Sequence, residues 1–449
     1  MNLIVRSAAL CAIAALTAGA LAALAPTPAH AMKIERVVSP GGIEAWLVRD
    51  QAVPLISVDI AFVGGTEQDP KDKPGIANLA ASLLDEGAGK LNAVAFRNQL
   101  ERKAIEIGFR AGRDYIRGTI RMLTEHRDEA FDYLRLALTV PRFDPEAVER
   151  IRSQVLSQLR RNSTSPNDIA SRAWWRAAFP NHPYGQPTAG TLESVPTITI
   201  DDLKGYTRRV LAREFMKIAI VGDIDAETAG KLLDRTFGEL PTKADLRPVA
   251  DVTVQDLGRR SVIDLDVPQT VVNFGGRGPV RSDPDFMAAY IVNHILGGGS
   301  FSSRLYREVR ETRGLAYGVS SQLAWYRHGA VLMGSTATRA DATRESLDVI
   351  QAEFARMATE GPTEEELAKT KAFLKGSFVL GLDTSGKIAS HLVQMQIDNL
   401  GIDYIERRPA LIDAVTLADT KRVAKRLLDS GLLVTVVGRP QGVTSKEGG

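Results

Sequence analysis

Two stretches of this chain match across an offset of 214 residues. AVPLISVDIAFVGGTEQDP at 52–70 aligns with DVPQTVVNFGGRGPVRSDP at 266–284. Val53-Pro54 then meets Val267-Pro268, and Asp69-Pro70 meets Asp283-Pro284. Each stretch alternates apolar residues as a strand does and passes a glycine-containing turn. Each then enters an apolar helical run, GIANLAASLLDEG in the first half and FMAAYIVNHILGGG in the second. Each half also closes on a β-run ending in glycine, KIAIVGD at 217–223 and LLVTVVG at 432–438. Solenoid repeats run to about 20–50 residues, so a period this long excludes them. It predicts two homologous domains, 32–245 and 246–449, joined through the polar, proline-bearing PTKADLRPVADVTVQD at 241–256. Strands group with long amphipathic helices instead of alternating with them one for one. Examples are the helices expected over 145–162 and over 363–382, the latter entered through a Thr363–Glu366 capping box. The expected class is α+β, each domain a mainly antiparallel sheet flanked by helices.

The first 31 residues stand apart from this pattern. One early Arg6, an alanine-rich apolar run and the ending Ala29-His30-Ala31 read as a signal peptide cleaved after Ala31. The competing reading is a retained membrane anchor, which Pro26 and Pro28 interrupt. No second apolar run is long enough to span a bilayer, so an exported chain with no integral span, periplasmic in a bacterium, is expected. Lys and Arg total 56 against 54 Asp and Glu, which gives no electrostatic reason to expect a nucleic-acid partner. The single cysteine, Cys11, lies inside the signal, so the mature chain has no disulfide or thiolate chemistry. Any metal site would need imidazoles and carboxylates. Yet His126, His182, His294, His328 and His391 include no two that are three or four apart, and no helix can present two on one face.

Four stretches resemble the pitrilysin or insulinase-like family of inverted-motif zinc peptidases, which includes the mitochondrial processing peptidase. They are VGGTEQDPKDKPGIANLAASLLDEG, FPNHPYGQPTAGTLESV at 179–195, IAIVGDI, and LGGGSFSSRLYREVRETRGLAYGVSS at 296–321. The resemblance covers essentially all of 32–440 and implies a clamshell half-chamber. In active members of that family, H-x-x-E-H lies on the helix after the first glycine turn. Two imidazoles bind zinc, the glutamate serves as base, and a distant carboxylate is the third ligand. Here the two imidazole positions fall on Asn78 and Ser82, the base on Ala81 and the distant ligand on Gln158. Amides are poor zinc ligands, a neutral hydroxyl is worse, and a methyl group does nothing.

The resemblance implies a different role for the second half. An arginine and a tyrosine at the spacing of Arg310 and Tyr317 reach across the chamber to a metal held by the other half or by a partner subunit. A guanidinium donates to peptide in a fixed fork, and a phenol can donate to an oxyanion. The bland readings are a solvated helix face for Arg310 and strand-start packing for Tyr317. Gly297, Gly298, Gly299 and Ser300 offer two readings, a flexible loop touching substrate backbone or a helix C-cap with φ > 0. His182 and Tyr184 read as fold elements, and Trp174 with Trp175 as core. The expected protein is then a zinc-less subunit with no cofactor of its own. It would pair with a homologous zinc-binding subunit, act on peptides, and be inactive alone. The alternative is a non-catalytic peptide-binding or structural scaffold.

Overall fold

The computed structural model describes residues 32–448, so the signal-peptide reading falls outside the described residues. The first half contributes strands β1 (Ile34–Val38), β2 (Glu44–Arg49), β3 (Leu55–Val63), β4 (Gly87–Ala88), β5 (Leu91–Asn92), β6 (Glu106–Ala111), β7 (Tyr115–Leu123) and β8 (Lys217–Gly222). The second contributes β9 (Arg260–Ile263), β10 (Thr270–Arg277), β11 (Ala316–Tyr326), β12 (Gly329–Thr338) and β13 (Leu433–Val437). They build a six-stranded sheet, β1-β2-β8-β3-β7-β6, a five-stranded sheet, β11-β12-β10-β13-β9, and a small β4-β5 pair. Without β1 the two orders coincide. Each holds one parallel pair in the same place, β2 with β8 and β9 with β13, and is otherwise antiparallel. The class is α+β with antiparallel-rich sheets.

The residues repeated in the sequence do the same work in both halves. Asp69 accepts the N–H of Gly75 at 2.7 Å and of Ala77 at 2.9 Å, closing the start of helix Ile76–Ala81. Asp283 accepts the N–H of Asp285 at 2.8 Å at the start of helix Phe286–Asn293. Gly222 and Gly438 both sit at φ +143° where their strands leave the sheet. A Cβ on Gly222 would lie 2.1 Å from the Leu55 carbonyl oxygen, and one on Gly438 would lie 2.8 Å from the Thr270 hydroxyl. Leu55 and Thr270 are the first residues of the matching strands β3 and β10, so both positions are closed to a side chain. The segment 241–256 forms neither helix nor strand. It is held by Gln68, whose amide donates to the Arg247 carbonyl at 3.0 Å and accepts the Arg247 N–H at 2.7 Å.

Each half lends a helix to the other. One face of the first sheet is covered by its own helices. On the opposite face Trp46, Val48, Ala61, Ala219 and Val221 pack under Ala389, Leu392, Val393 and Met395. Those residues lie on helix Ser385–Ile397 of the second half. Reciprocally, helix Pro166–Ala178 of the first half crosses to the second sheet. There Ala170 meets Val271 and Val437, and Trp174, fully buried, donates its indole N–H to the Leu433 carbonyl at 3.0 Å. Trp174 and Trp175 are core residues, as expected.

One element differs from the sequence reading. The helical run expected to continue through Leu84 ends as α-helix at Ala81. The Ser82 hydroxyl bonds back to the Asn78 carbonyl at 2.9 Å, and Leu83 and Leu84 follow in turns bonded to Ala80 and Ala81. Serine side chains compete with the helix ladder in this way. Burial of Leu83 and Leu84 holds the chain in the turn.

Candidate functional site

The short helix presents Asn78 and Ser82 on one partly exposed side, while Ala81 is buried. This is the i, i+4 spacing on which two metal ligands would sit. Gln158 is exposed on helix Pro145–Thr164, where its amide donates to Asn162 at 2.6 Å and accepts from Arg161 at 2.6 Å. The spacing of a ligand pair is present and its chemistry is not. The four side chains supply no anionic oxygen and no imidazole, so they do not fit zinc. Among the described residues no group of three or more His, Cys, Asp or Glu is placed to hold a metal ion.

Arg310 and Tyr317 are brought together. Leu305 leads into a π-helical segment, Tyr306–Thr312, and Gly314 at φ +61° reverses the chain into β11. The Arg310 guanidinium carbon lies 4.3 Å from the Tyr317 ring centroid and 4.9 Å from that of Tyr306. Tyr306 is buried and fixes the stack from beneath, while Tyr317 is 83% exposed. Among the described residues Arg310 has no carboxylate partner, so its donors remain available. Sequence reasoning missed Tyr306, although its i, i+4 spacing to Arg310 could have revealed it. π-turns within helices recur at functional sites, and two occur here, at His294–Gly298 and Tyr306–Thr312.

The glycine triplet ends a helical segment and leads into a turn, with Gly299 as the cap donating its N–H to the His294 carbonyl at 2.8 Å, as the C-cap reading expects, but without the positive φ. None of Gly297, Gly298 and Gly299 takes positive φ, which falls instead on Ser300 at +48°. Gly297 is buried, and a Cβ there would lie 2.4 Å from the Ser321 hydroxyl. The triplet therefore allows the π-turn to approach β11. There Ser321 donates to the Asn293 side-chain oxygen at 2.7 Å and accepts the Asn293 amide N–H at its carbonyl, 3.3 Å. A close-packed, cross-bonded turn replaces the expected flexible loop. Gly298 and Ser300 remain on its exposed side.

His182 and Tyr184 belong to the seam between the halves, as fold elements. Both ring nitrogens of His182 are engaged, Nδ1 accepting the Tyr184 N–H at 3.1 Å and Nε2 lying 2.9 Å from the Ala250 carbonyl. The Tyr184 hydroxyl donates to Asp114 at 2.5 Å and accepts the His328 N–H at 3.0 Å. Beside it Glu67 is enclosed, 3.5 Å from Arg327 and 3.4 Å from His328. A cavity of about 920 Å³ opens at this seam, lined by residues such as Asp114, Tyr326 and Arg327. It includes neither Arg310 nor Tyr317 and none of the four metal-ligand and base positions.

This seam predicts a pH dependence. Burial pushes Asp69 up to about 7. Burial, then the nearby Asp114 carboxylate, pushes Glu67 up as well. Both acids hold protons in the folded chain that the unfolded chain has released by about pH 5. Their stabilisation is complete below their unfolded pKa and is lost as pH rises through the folded values. Partial burial lowers the pKa values of the half-buried His182, His294 and His391, which act oppositely, with losses only below about pH 6.5. Between pH 6.5 and 8.5 thermal stability should therefore fall, by on the order of 1–3 kcal/mol. A pH series of melting curves checks this. Glu67→Gln and Asp69→Asn should each flatten the slope.

Two family models match successive parts of the chain. Residues 47–192 match the family described as Insulinase (Peptidase family M16), and residues 197–374 match Peptidase M16 inactive domain. A Helicobacter pylori protein described as non-peptidase homolog YmxG is 29% identical over 334 residues, covering 74% of this chain and 77% of that protein. An uncharacterized zinc protease of Mycobacterium tuberculosis is 29% identical over 423 residues, covering 92% and 95%. Among solved structures, an M16 inactive domain from Pseudomonas fluorescens superposes with TM-score 0.85 at 26% identity, covering 93% of this chain and 100% of that one. A Helicobacter pylori protease shares the fold at TM-score 0.83 and 21% identity, covering 91% and 100%.

Proposed function

The chain belongs to the M16 (pitrilysin/insulinase-like) peptidase family, and from that premise we propose that it is the non-metal-binding subunit of a periplasmic, heteromeric zinc peptidase. The observation that carries this is an asymmetry. All four metal and base positions hold unsuitable side chains, whereas Arg310 and Tyr317 are present and stacked, with Arg310 half-buried and without a carboxylate partner among the described residues and Tyr317 exposed. A homologous partner would supply H-x-x-E-H and the zinc. This chain would close the chamber over a peptide. Arg310 would clamp a backbone carbonyl or carboxylate through its planar fork. Tyr317 would donate its hydroxyl to the oxygen on which negative charge develops. The exposed backbone of Gly298 and Ser300 would border the same peptide. Division of labour of this kind leaves the chain without cleavage activity alone.

A second reading, a non-catalytic peptide-binding or structural scaffold, is favoured by one finding: a Helicobacter pylori relative is described as a non-peptidase homolog. The first test is capture of the chain from envelope extracts of its native host, with zinc analysis of what is recovered. We expect a similarly sized chain bearing H-x-x-E-H, one zinc per pair and none on this chain alone. Stoichiometric zinc with peptide cleavage by the isolated chain would overturn the proposal.

A further inference from the structure

A second cavity lies away from these residues, where helix Ser385–Ile397 leaves the first sheet and meets the helices of the second half. Its volume is about 360 Å³, at the small end of what small-molecule sites occupy. Its walls are aromatic and apolar: Phe286, Tyr290, Trp325, Phe378 and Met395. Two polar groups in this wall are unusual. Arg408 is only 7% exposed, and among the described residues no carboxylate pairs with it. Its contacts are one donated hydrogen bond to the Leu374 carbonyl at 2.8 Å and the Phe378 ring at 4.2 Å. His391, across the same ring at 5.0 Å, has a buried Nε2 with no hydrogen-bond partner.

A buried guanidinium without a counter-ion is costly unless something anionic completes it. The other guanidinium at the cavity, Arg281, already faces Asp398 at 3.8 Å, so it contributes no excess charge. The uncompensated charge is that of Arg408. It lies in a cleft whose remaining surface is mostly apolar, with Arg281, Gln394, Asp398 and Tyr404 as its other polar lining residues. Val379 and Leu380, just before the lining residues Gly381 and Leu382 in the chain, are 67% and 77% exposed.

We propose that this cavity binds a small carboxylate with an apolar body, a medium-chain or aryl-alkyl monocarboxylate. Its carboxylate would meet Arg408 and His391, and its chain would lie among the aromatic rings. The site is separate from Arg310 and Tyr317 and does not depend on the peptidase reading.

Calorimetric titration of the full mature chain with octanoate and with octan-1-ol tests this. Octanoate should bind at least tenfold more tightly than the alcohol. Arg408→Met keeps the packing and removes the charge, and it should lower octanoate affinity at least tenfold while leaving octanol binding unchanged. Should that variant fail to fold, Met287→Trp, at another residue lining the cavity, fills it and should abolish binding of both probes. Equal affinity for the two probes, no binding of octanoate, or octanoate binding that survives Met287→Trp overturns the proposal.

Discussion

Residues 32–245 expressed alone are expected to be insoluble or molten, and residues 246–449 likewise, whereas the two pieces expressed together should recover a folded complex. The reason is the helix exchange. Removing the second half strips Leu392, Val393 and Met395 from the first sheet and bares Trp46, Val48 and Val221 beneath them. Burial of one large aliphatic side chain contributes about 1.5–3 kcal/mol, so these three alone account for roughly 5–9 kcal/mol. A whole domain is stable by only about 5–15 kcal/mol. The loss is also polar. Arg117 pairs with buried Asp59 at 3.0 Å and is completed by the Ser390 carbonyl at 3.2 Å and the Gln394 side chain at 3.3 Å, both on the lent helix. In the converse piece, the loss of helix Pro166–Ala178 bares Val271 and Val437 and removes the indole donor from the Leu433 carbonyl. Circular dichroism and denaturant melts of each piece decide the matter. A monomeric half with a cooperative transition and a fixed near-ultraviolet spectrum would contradict the argument.

The exchange was not legible in the sequence, although the duplication that frames it was. Matching residues at 54 and 268, 69 and 283, and 222 and 438 report local geometry that a sequence carries directly: a strand start, a helix cap, a strand exit at positive φ. The capping box at Thr363 and Glu366 formed as expected for the same reason. Helical periodicity shows that Trp174 or Leu392 faces something apolar, but not which sheet it faces. That partner lies more than 100 residues away in sequence, as the Trp174 bond to Leu433 illustrates. The π-turns were equally hidden. His294–Gly298 continues an ordinary apolar helix, and its altered winding follows from the contact of Gly297 with Ser321. Asn78, Ala81, Ser82 and Gln158 are the reverse case: their residue types are read directly from the sequence, and the structure adds that Asn78 and Ser82 share a partly exposed side of one short helix while Gln158 is exposed on another.

Tyr317→Phe and Arg310→Ala should each lower peptide cleavage by the reconstituted pair about tenfold or more, on the scale of losing one preorganised donor to developing charge. The two losses should differ in kind. The phenol acts on charge that appears during reaction, so its removal should lower kcat with little change in KM. The guanidinium also holds the bound peptide, so its removal should raise KM as well. Arg310→Lys should rescue little, because an ammonium cannot reproduce the fork or the stack between Tyr306 and Tyr317. The exposure of Tyr317 makes the experiment clean, since surface substitutions away from packed features usually change stability by about 0.5 kcal/mol or less. Lost activity with an unchanged melting temperature and intact assembly would then be a statement about chemistry. Unchanged activity under the same conditions would leave Arg310 and Tyr317 as surface decoration and favour the scaffold reading. The asymmetry between a chemically empty metal site and an available Arg–Tyr pair has functional meaning only if those two side chains meet a substrate.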